Sequence, residues 1–218
     1  MTSTVGQPLT RVDGIAKVTG AARYAADFDT PRLACAAIVQ STVASAQIAA
    51  IDSSRARALP GVLLVMTHEN APRLPSDAQG SNPPGERALS LLQDANVRYN
   101  GEPVAVVVAE TLEQAHHAAL LLKIEYRPQA PTLDFDGAIS SAYKPASLTH
   151  GDADSSRGNV TGALESAPVR HDAMYATPME SHNPMEPHAT LAVWEGDRLT
   201  VHDSTQGVSG AERWPGGA

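Results

Sequence analysis

The apolar positions of this chain fall into short runs of strand length, separated by stretches that show no period at all. Leu33 to Val39 is apolar and β-compatible, and Gln47 to Ile51 is a second such run; both predict buried strands. Asp52 stands where a helix N-cap belongs, SSRARAL follows it, and Pro60-Gly61 closes the helix before VLLVMT begins a strand. The same order then returns in better form. Tyr99-Asn100-Gly101-Glu102 predicts a turn, and VAVVVA after it is a continuous apolar strand. Thr111 with Gln114 three residues on is a capping box, and Leu112, Ala115, Ala119 and Leu122 share one helical face. Lys123 to Tyr126 alternates as a half-buried strand that Pro128 stops. Two strand–helix–strand units predict an α+β or α/β layer.

The remaining stretches are less regular. Gly6 to Asp29 reads as an extended, loop-rich entry with a short strand, and Glu69 to Ala88, rich in Pro, Gly, Ser and Asn, as a long surface loop. Asp134 to Ala142 predicts one more short helix. From Tyr143 to Val169 large apolar residues nearly vanish, which predicts a linker. Arg170 to Tyr175 reads as a strand. Thr190 to Trp194 and Leu199 to Asp203 read as a hairpin closed by Glu195-Gly196-Asp197-Arg198. The expected partition is therefore 1–142, a linker over 143–169, and 170–218. Two strands cannot stabilise themselves alone, so the hairpin needs a sheet to join. The expectation is a chain that forms the front portion of a longer protein.

Composition narrows the function classes. Hydrophobic residues make up 42% of the 218 and charged residues 18%, an ordinary globular balance. A formal net charge of −8 without a clustered basic face argues against nucleic acid as a partner. One cysteine, Cys35, excludes a disulfide framework and an iron–sulfur site built from this chain, and its apolar run makes it a packed thiol. No run approaches the length of a membrane span. The expected compartment is cytoplasmic, or periplasmic if a partner carries the chain out.

The densest chemistry lies in TPMESHNPMEPHATLAVW, residues 177–194. Glu180, His182, Asn183, Glu186 and His188 crowd together there, and prolines 178, 184 and 187 forbid a regular helix. His182, Glu186 and His188 have ligand chemistry suited to zinc or iron. The prolines leave their side-chain directions open, and structural hydrogen bonding at a strand entry is the favoured alternative. Glu180 or Glu186 could serve as a general acid or base, but no partner set accompanies them. No G-x-S-x-G elbow, P-loop or G-x-G-x-x-G is present.

Three blocks, RVDGIAKVTGAARYAADF, LLQDANVRYNGEPVAVVVAETLEQAHHAA and MESHNPMEPHATLAVWEGDRLTVHDSTQGV, resemble the molybdenum-binding subunit of the xanthine dehydrogenase/aldehyde oxidase family. The resemblance runs from about Gly6 to about Gly207. It implies an α+β architecture, with an α/β hammerhead domain followed by the first strands of a molybdopterin-binding domain. It further implies an oxidoreductase that hydroxylates aldehydes or N-heterocycles with water as the oxygen source. Electrons would leave through a [2Fe–2S] subunit and an FAD subunit. Carried over by residue, Glu180 falls where the family often has a glutamine near the molybdenum ligands, and Gln206 lies in the STQ of the third block. These two are the expected cofactor-binding residues; His182, Asn183, Glu186 and His188 are expected to line the substrate or cofactor side. No residue is expected to be catalytic, and none to bind metal directly. The family's GGGFGGK-type loop and late catalytic glutamate have no counterpart here, so molybdopterin is not expected to be retained and the chain not expected to be active alone. The competing readings are a non-catalytic docking or assembly module and a small His/Glu metalloenzyme.

Overall fold

The computed structural model describes residues 6–74, 91–144, 147–148, 151–152, 154–181, 183–184 and 186–205. The predicted loop over Glu69 to Ala88 lies largely outside them, in 75–90. The chain divides into two compact units, one of Met1–Pro31 with Tyr175–Ala218 and one of Arg32–Met174. The first of the three blocks thus groups mainly with the last and not with the middle one. Among the described residues no helix is long and apolar enough to cross a membrane.

The entry segment is not extended as expected. It holds a helix, α1 (Gly14–Val18), and a 3-10 turn (Ala25–Asp27). Asp13 bonds both Arg11 and Lys17 just before and within that helix, at 2.8 and 2.7 Å, a local pairing that periodicity does not register.

The larger unit contains β1 (Cys35–Gln40), β2 (Ala46–Asp52), α2 (Ser54–Arg57), β3 (Val62–Thr67), β4 (Asn96–Val97), β5 (Pro103–Ala109), α3 (Leu112–Leu120) and β6 (Lys123–Pro128). These form two three-stranded sheets, ordered β1-β5-β3 and β4-β2-β6. Every pair is antiparallel. The two strand–helix–strand units are therefore not parallel crossovers: in each, the helix carries the chain from one sheet to the other. The architecture is α+β.

β5 sits in the middle of its sheet, where its run of valine and alanine pairs with a strand on each side. Its inner row, Ala105, Val107 and Ala109, faces Ala37 and Val39 of β1 and Val65 and Thr67 of β3. Val65 and Val107 are the largest side chains sealed completely from solvent. Ala56 of α2 and Ala115 and Ala118 of α3 are sealed beside them, so small residues let both short helices lie close on the sheet. A second cluster, Ala46, Ile48, Val97 and Val104, binds the β4-β2-β6 sheet to the same unit. Leu112, expected on the buried face, is 47% exposed; Ala118 takes the position instead. His116 and His117 are both exposed.

The expected capping box is present. Gln114 N–H donates to Thr111 Oγ1 at 3.2 Å, and Thr111 N–H donates to Gln114 Oε1 at 3.1 Å. The same Gln114 side chain lies where a Cβ on Gly61 would be, 2.3 Å away, and Gly61 has φ +81°. The positive φ favours glycine there, and a side chain would also push aside the far end of Gln114. Thr111→Ala should lower stability by about 1 kcal/mol, read as a shift of the urea midpoint with unchanged slope.

Asp134–Ala142 holds the expected short helix, α4 (Phe135–Ala138), which tightens into a 3-10 turn at Ile139–Ser141. Two further expectations are corrected. The linker over 143–169 carries β7 (Ser147–Leu148), β8 (Gly151–Asp152) and a helix, α5 (Val160–Ser166), that starts because the Asn159 side chain accepts the Gly162 N–H at 3.0 Å. Arg170 to Tyr175 is exposed and irregular, because the strand has no neighbour among the described residues to pair with.

Candidate functional site

The smaller unit is built on the predicted hairpin, β9 (Thr190–Glu195) paired with β10 (Arg198–Asp203). Gly196 turns it at φ +66°. Alternation splits the hairpin into two faces. Leu191, Val193, Thr200 and His202 share one; Ala192, Trp194, Leu199 and Val201 share the other, on which Trp194 is 66% exposed.

The first face is covered by the entry segment. β9 packs against the 3-10 turn, and Leu191 and Ala25 are both buried. Phe28 stacks on His202 with centroids 3.9 Å apart and planes 18° from parallel, and the Arg23 guanidinium lies 4.4 Å from the same Phe28 centroid. Phe28 thus meets both the imidazole and the guanidinium. Arg23 also donates to the carbonyl of Asp27 at 2.7 Å, and Tyr24 N–H donates to the Asp27 carboxyl at 2.9 Å, which fixes the turn that presents the ring.

The polar motif enters this hairpin from the N-terminal side. Glu180 is exposed, as are Asn183 and His188, and no hydrogen bond ties any of the three down among the described residues. Asn183 has φ +41°, in the left-handed region that asparagine tolerates better than most residues. Glu186 is half-buried and held: Ser204 Oγ donates to its Oε1 at 3.1 Å and lies 3.4 Å from the Pro187 carbonyl. Next to this latch the Thr190 hydroxyl bonds the Asp203 carboxyl across the open end of the hairpin. His182 and Gln206 lie outside the described residues. Among those described, no three His, Cys, Asp or Glu side chains converge on a metal position.

Of the six expected site residues, the structure therefore describes four, and brings one of them, Glu186, into a bonded arrangement. Sequence reading missed Ser204, Phe28 and Arg23. Ser204 stands beside Gln206 in a block already singled out. Nothing in its spacing from Glu186, 18 residues back, signals the bond, which only the hairpin creates. The chemistry on offer is hydrogen bonding: a carboxyl with one oxygen anchored, an amide, an imidazole and a second carboxyl, all open to an incoming group.

Residues 19–130 match the family described as aldehyde oxidase and xanthine dehydrogenase, a/b hammerhead domain, and residues 143–214 match the molybdopterin cofactor-binding domain. The aldehyde oxidoreductase molybdenum-binding subunit PaoC of Escherichia coli strain K12 is 38% identical over 204 residues, 93% of this chain and 26% of that protein. The xanthine dehydrogenase molybdenum-binding subunit of Escherichia coli O157:H7 is 34% identical over 207 residues, 90% of this chain and 27% of that one. The chain thus spans about a quarter of the length of these relatives. Among solved structures, quinoline 2-oxidoreductase from Pseudomonas putida 86 superposes with a TM-score of 0.67 at 25% identity, over 92% of this chain and 27% of that one.

Proposed function

The chain belongs to the aldehyde oxidase and xanthine dehydrogenase family, and from that premise we propose that it forms the hammerhead portion and one wall of the cofactor site of a molybdenum hydroxylase large subunit. The observation that carries this reading is the placement of the polar motif. Glu180, Asn183, Glu186 and His188 fall inside the residues matched to the molybdopterin-binding domain, in the segment that leads into the β9–β10 hairpin, with their polar ends largely unspent.

The donor set fits a pterin. Such a ring system presents N–H donors and carbonyl and ring-nitrogen acceptors along its edge, and unbonded carboxyl, amide and imidazole groups can meet both kinds. Glu186 offers the carboxyl oxygen that Ser204 leaves free, Asn183 offers an amide, and Glu180 and His188 flank them. When bound, the molybdenum cofactor supplies the redox chemistry of hydroxylation with oxygen from water. This chain's residues would bind and orient it and limit access of water. In the proposal, electrons pass on to a [2Fe–2S] subunit and an FAD subunit.

In the same reading these 218 residues are not active by themselves. The support is the exposure of Glu180, Asn183 and His188, since a site that controls redox chemistry surrounds its cofactor on most sides. The test is elemental analysis after expression in a host that makes molybdopterin, with the chain purified alone and beside an iron–sulfur subunit. Molybdenum far below one atom per chain, with retention of the [2Fe–2S] partner, is expected. Stoichiometric molybdenum on the chain alone would overturn the inactivity, and failure to hold the partner would overturn the subunit assignment.

A further inference from the structure

Glu186, the one motif residue with an anchored side chain among the described residues, is linked by a series of contacts to the entry segment. The connection runs from Arg23 to Phe28 at 4.4 Å, from Phe28 to His202 at 3.9 Å, along β10 to Ser204, and from Ser204 to Glu186 at 3.1 Å. Every residue along it belongs to one compact unit. Ser204 follows directly on the last strand residue, Asp203, so its position is set by how firmly β10 is held. β10 is held on one side by β9 and on its His202 face by Phe28.

We propose that Ser204 is the positioning residue of Glu186, and that the stack of Phe28 on His202 is the brace that holds Ser204 in place. The proposal rests on the cofactor-wall reading above and adds to it a reason for the first block of sequence. RYAADF supplies Arg23 and Phe28 to the same unit as the polar motif. Without the latch, nothing among the described residues bonds the side chains of Glu180, Asn183, Glu186 or His188. Pro184 and Pro187 restrict the backbone on either side of Glu186 but do not fix where its side chain points. The Ser204 hydroxyl does, because it takes hold of Glu186 Oε1 and sits against the Pro187 carbonyl beside it. One carboxyl oxygen is thereby pinned, and the other is left at a fixed place for a heterocycle N–H to donate to.

Backbone 15N relaxation on the intact chain tests this without any cofactor. Wild type should show order parameters near the rigid value of about 0.85 at Glu186 and His188, and Ser204→Ala should drop them below about 0.6 while β9 and β10 stay rigid. Ser204→Thr, which keeps the hydroxyl, should restore most of the order. Phe28→Ala should loosen Ser204 and Glu186 together, whereas Leu164→Ala, an exposed change in the other unit, should not. Unchanged order in Ser204→Ala, or no rescue by threonine, overturns the latch. Loosening on Ser204→Ala with intact order in Phe28→Ala overturns the brace. Since the readout is made on protein alone, failure to hold the iron–sulfur partner would count against the proposed function and leave this result standing.

Discussion

Replacing Glu102 with alanine is expected to lower the unfolding free energy by about 3 kcal/mol, the low end of what breaking a buried ion pair costs. Glu102 is 6% exposed, an unusual place for a carboxyl, and two bonds from Arg98 make it tolerable there. Its side chain accepts from the Arg98 backbone N–H and, at 3.1 Å, from the Arg98 guanidinium. Its backbone carbonyl accepts from Ser41 N–H at 2.8 Å, while Gly101 N–H returns a bond to Ser41 at 3.0 Å. The turn before β5 is thereby tied to the end of β1. Arg98 in turn pairs with Asp94. Arg98→Ala should cost nearly as much as Glu102→Ala, because it leaves the buried carboxyl without its cation. Glu102→Gln should cost less, about 1 to 2 kcal/mol, since a carboxamide oxygen still accepts the backbone N–H. Urea melts of the three variants decide it; a loss under about 1 kcal/mol for Glu102→Ala would mean the carboxyl is not sealed as described.

Asp94 gives that network a pH signature. Burial pushes its carboxyl up, but the Arg98 guanidinium and the Asn96 N–H outweigh it and hold the group below the ordinary aspartate value of 3.8. A depressed folded-state value means the contribution is complete above the unfolded value and disappears as pH falls through the folded one. The loss is therefore confined to acid below about pH 4, and it is small, under about 1 kcal/mol, because the Asp94 side chain is 39% exposed.

Strand positions were legible in the sequence wherever one rule acted alone. VAVVVA, the Thr111–Gln114 box and the hairpin around Gly196 each carry a local signal that no long-range contact opposes, and each stands where it was expected. Sheet membership was not legible. β2 and β3 follow one another through α2, yet join different sheets, and periodicity says which face of a strand is buried without saying against what. Helices over 14–18 and 160–166 escaped for the opposite reason. They bury no side chain and owe their ends to Asp13 pairing and an Asn159 cap, so they leave no apolar stripe to find. The site shows the same division. Glu180, Asn183, Glu186 and His188 announce themselves by residue type, whereas Ser204 and Phe28 are ordinary residues made important by a partner 18 or 174 positions away.

The sharpest contrast expected anywhere in the molecule lies between two exposed or sealed positions of one sheet. Val107→Asp should leave the larger unit unfolded at neutral pH, because it puts a carboxyl with no partner among Val65, Ala56 and Ala118, at a cost of more than about 4 kcal/mol. Ile38→Asp, on the adjacent strand but the other face, should cost less than about 1 kcal/mol, since Ile38 is 62% exposed. The ladder makes this contrast strict. Ala36, Val108 and Leu64 lie in register, as do Ile38, Val106 and Met66, and together they turn six aliphatic side chains outward, away from the helices. An apolar sheet face with Ile38 and Leu64, 62% and 39% exposed, contributes little to the stability of this chain by itself. Circular dichroism and urea melts should therefore find Val107→Asp without a folding transition and Ile38→Asp close to wild type, with the aspartate variant less prone to self-association in sedimentation velocity. A cooperative, near wild-type melt for Val107→Asp would refute the inner face as the core. An Ile38→Asp loss as large as that of Glu102→Ala would mean that the outer face is covered within the chain.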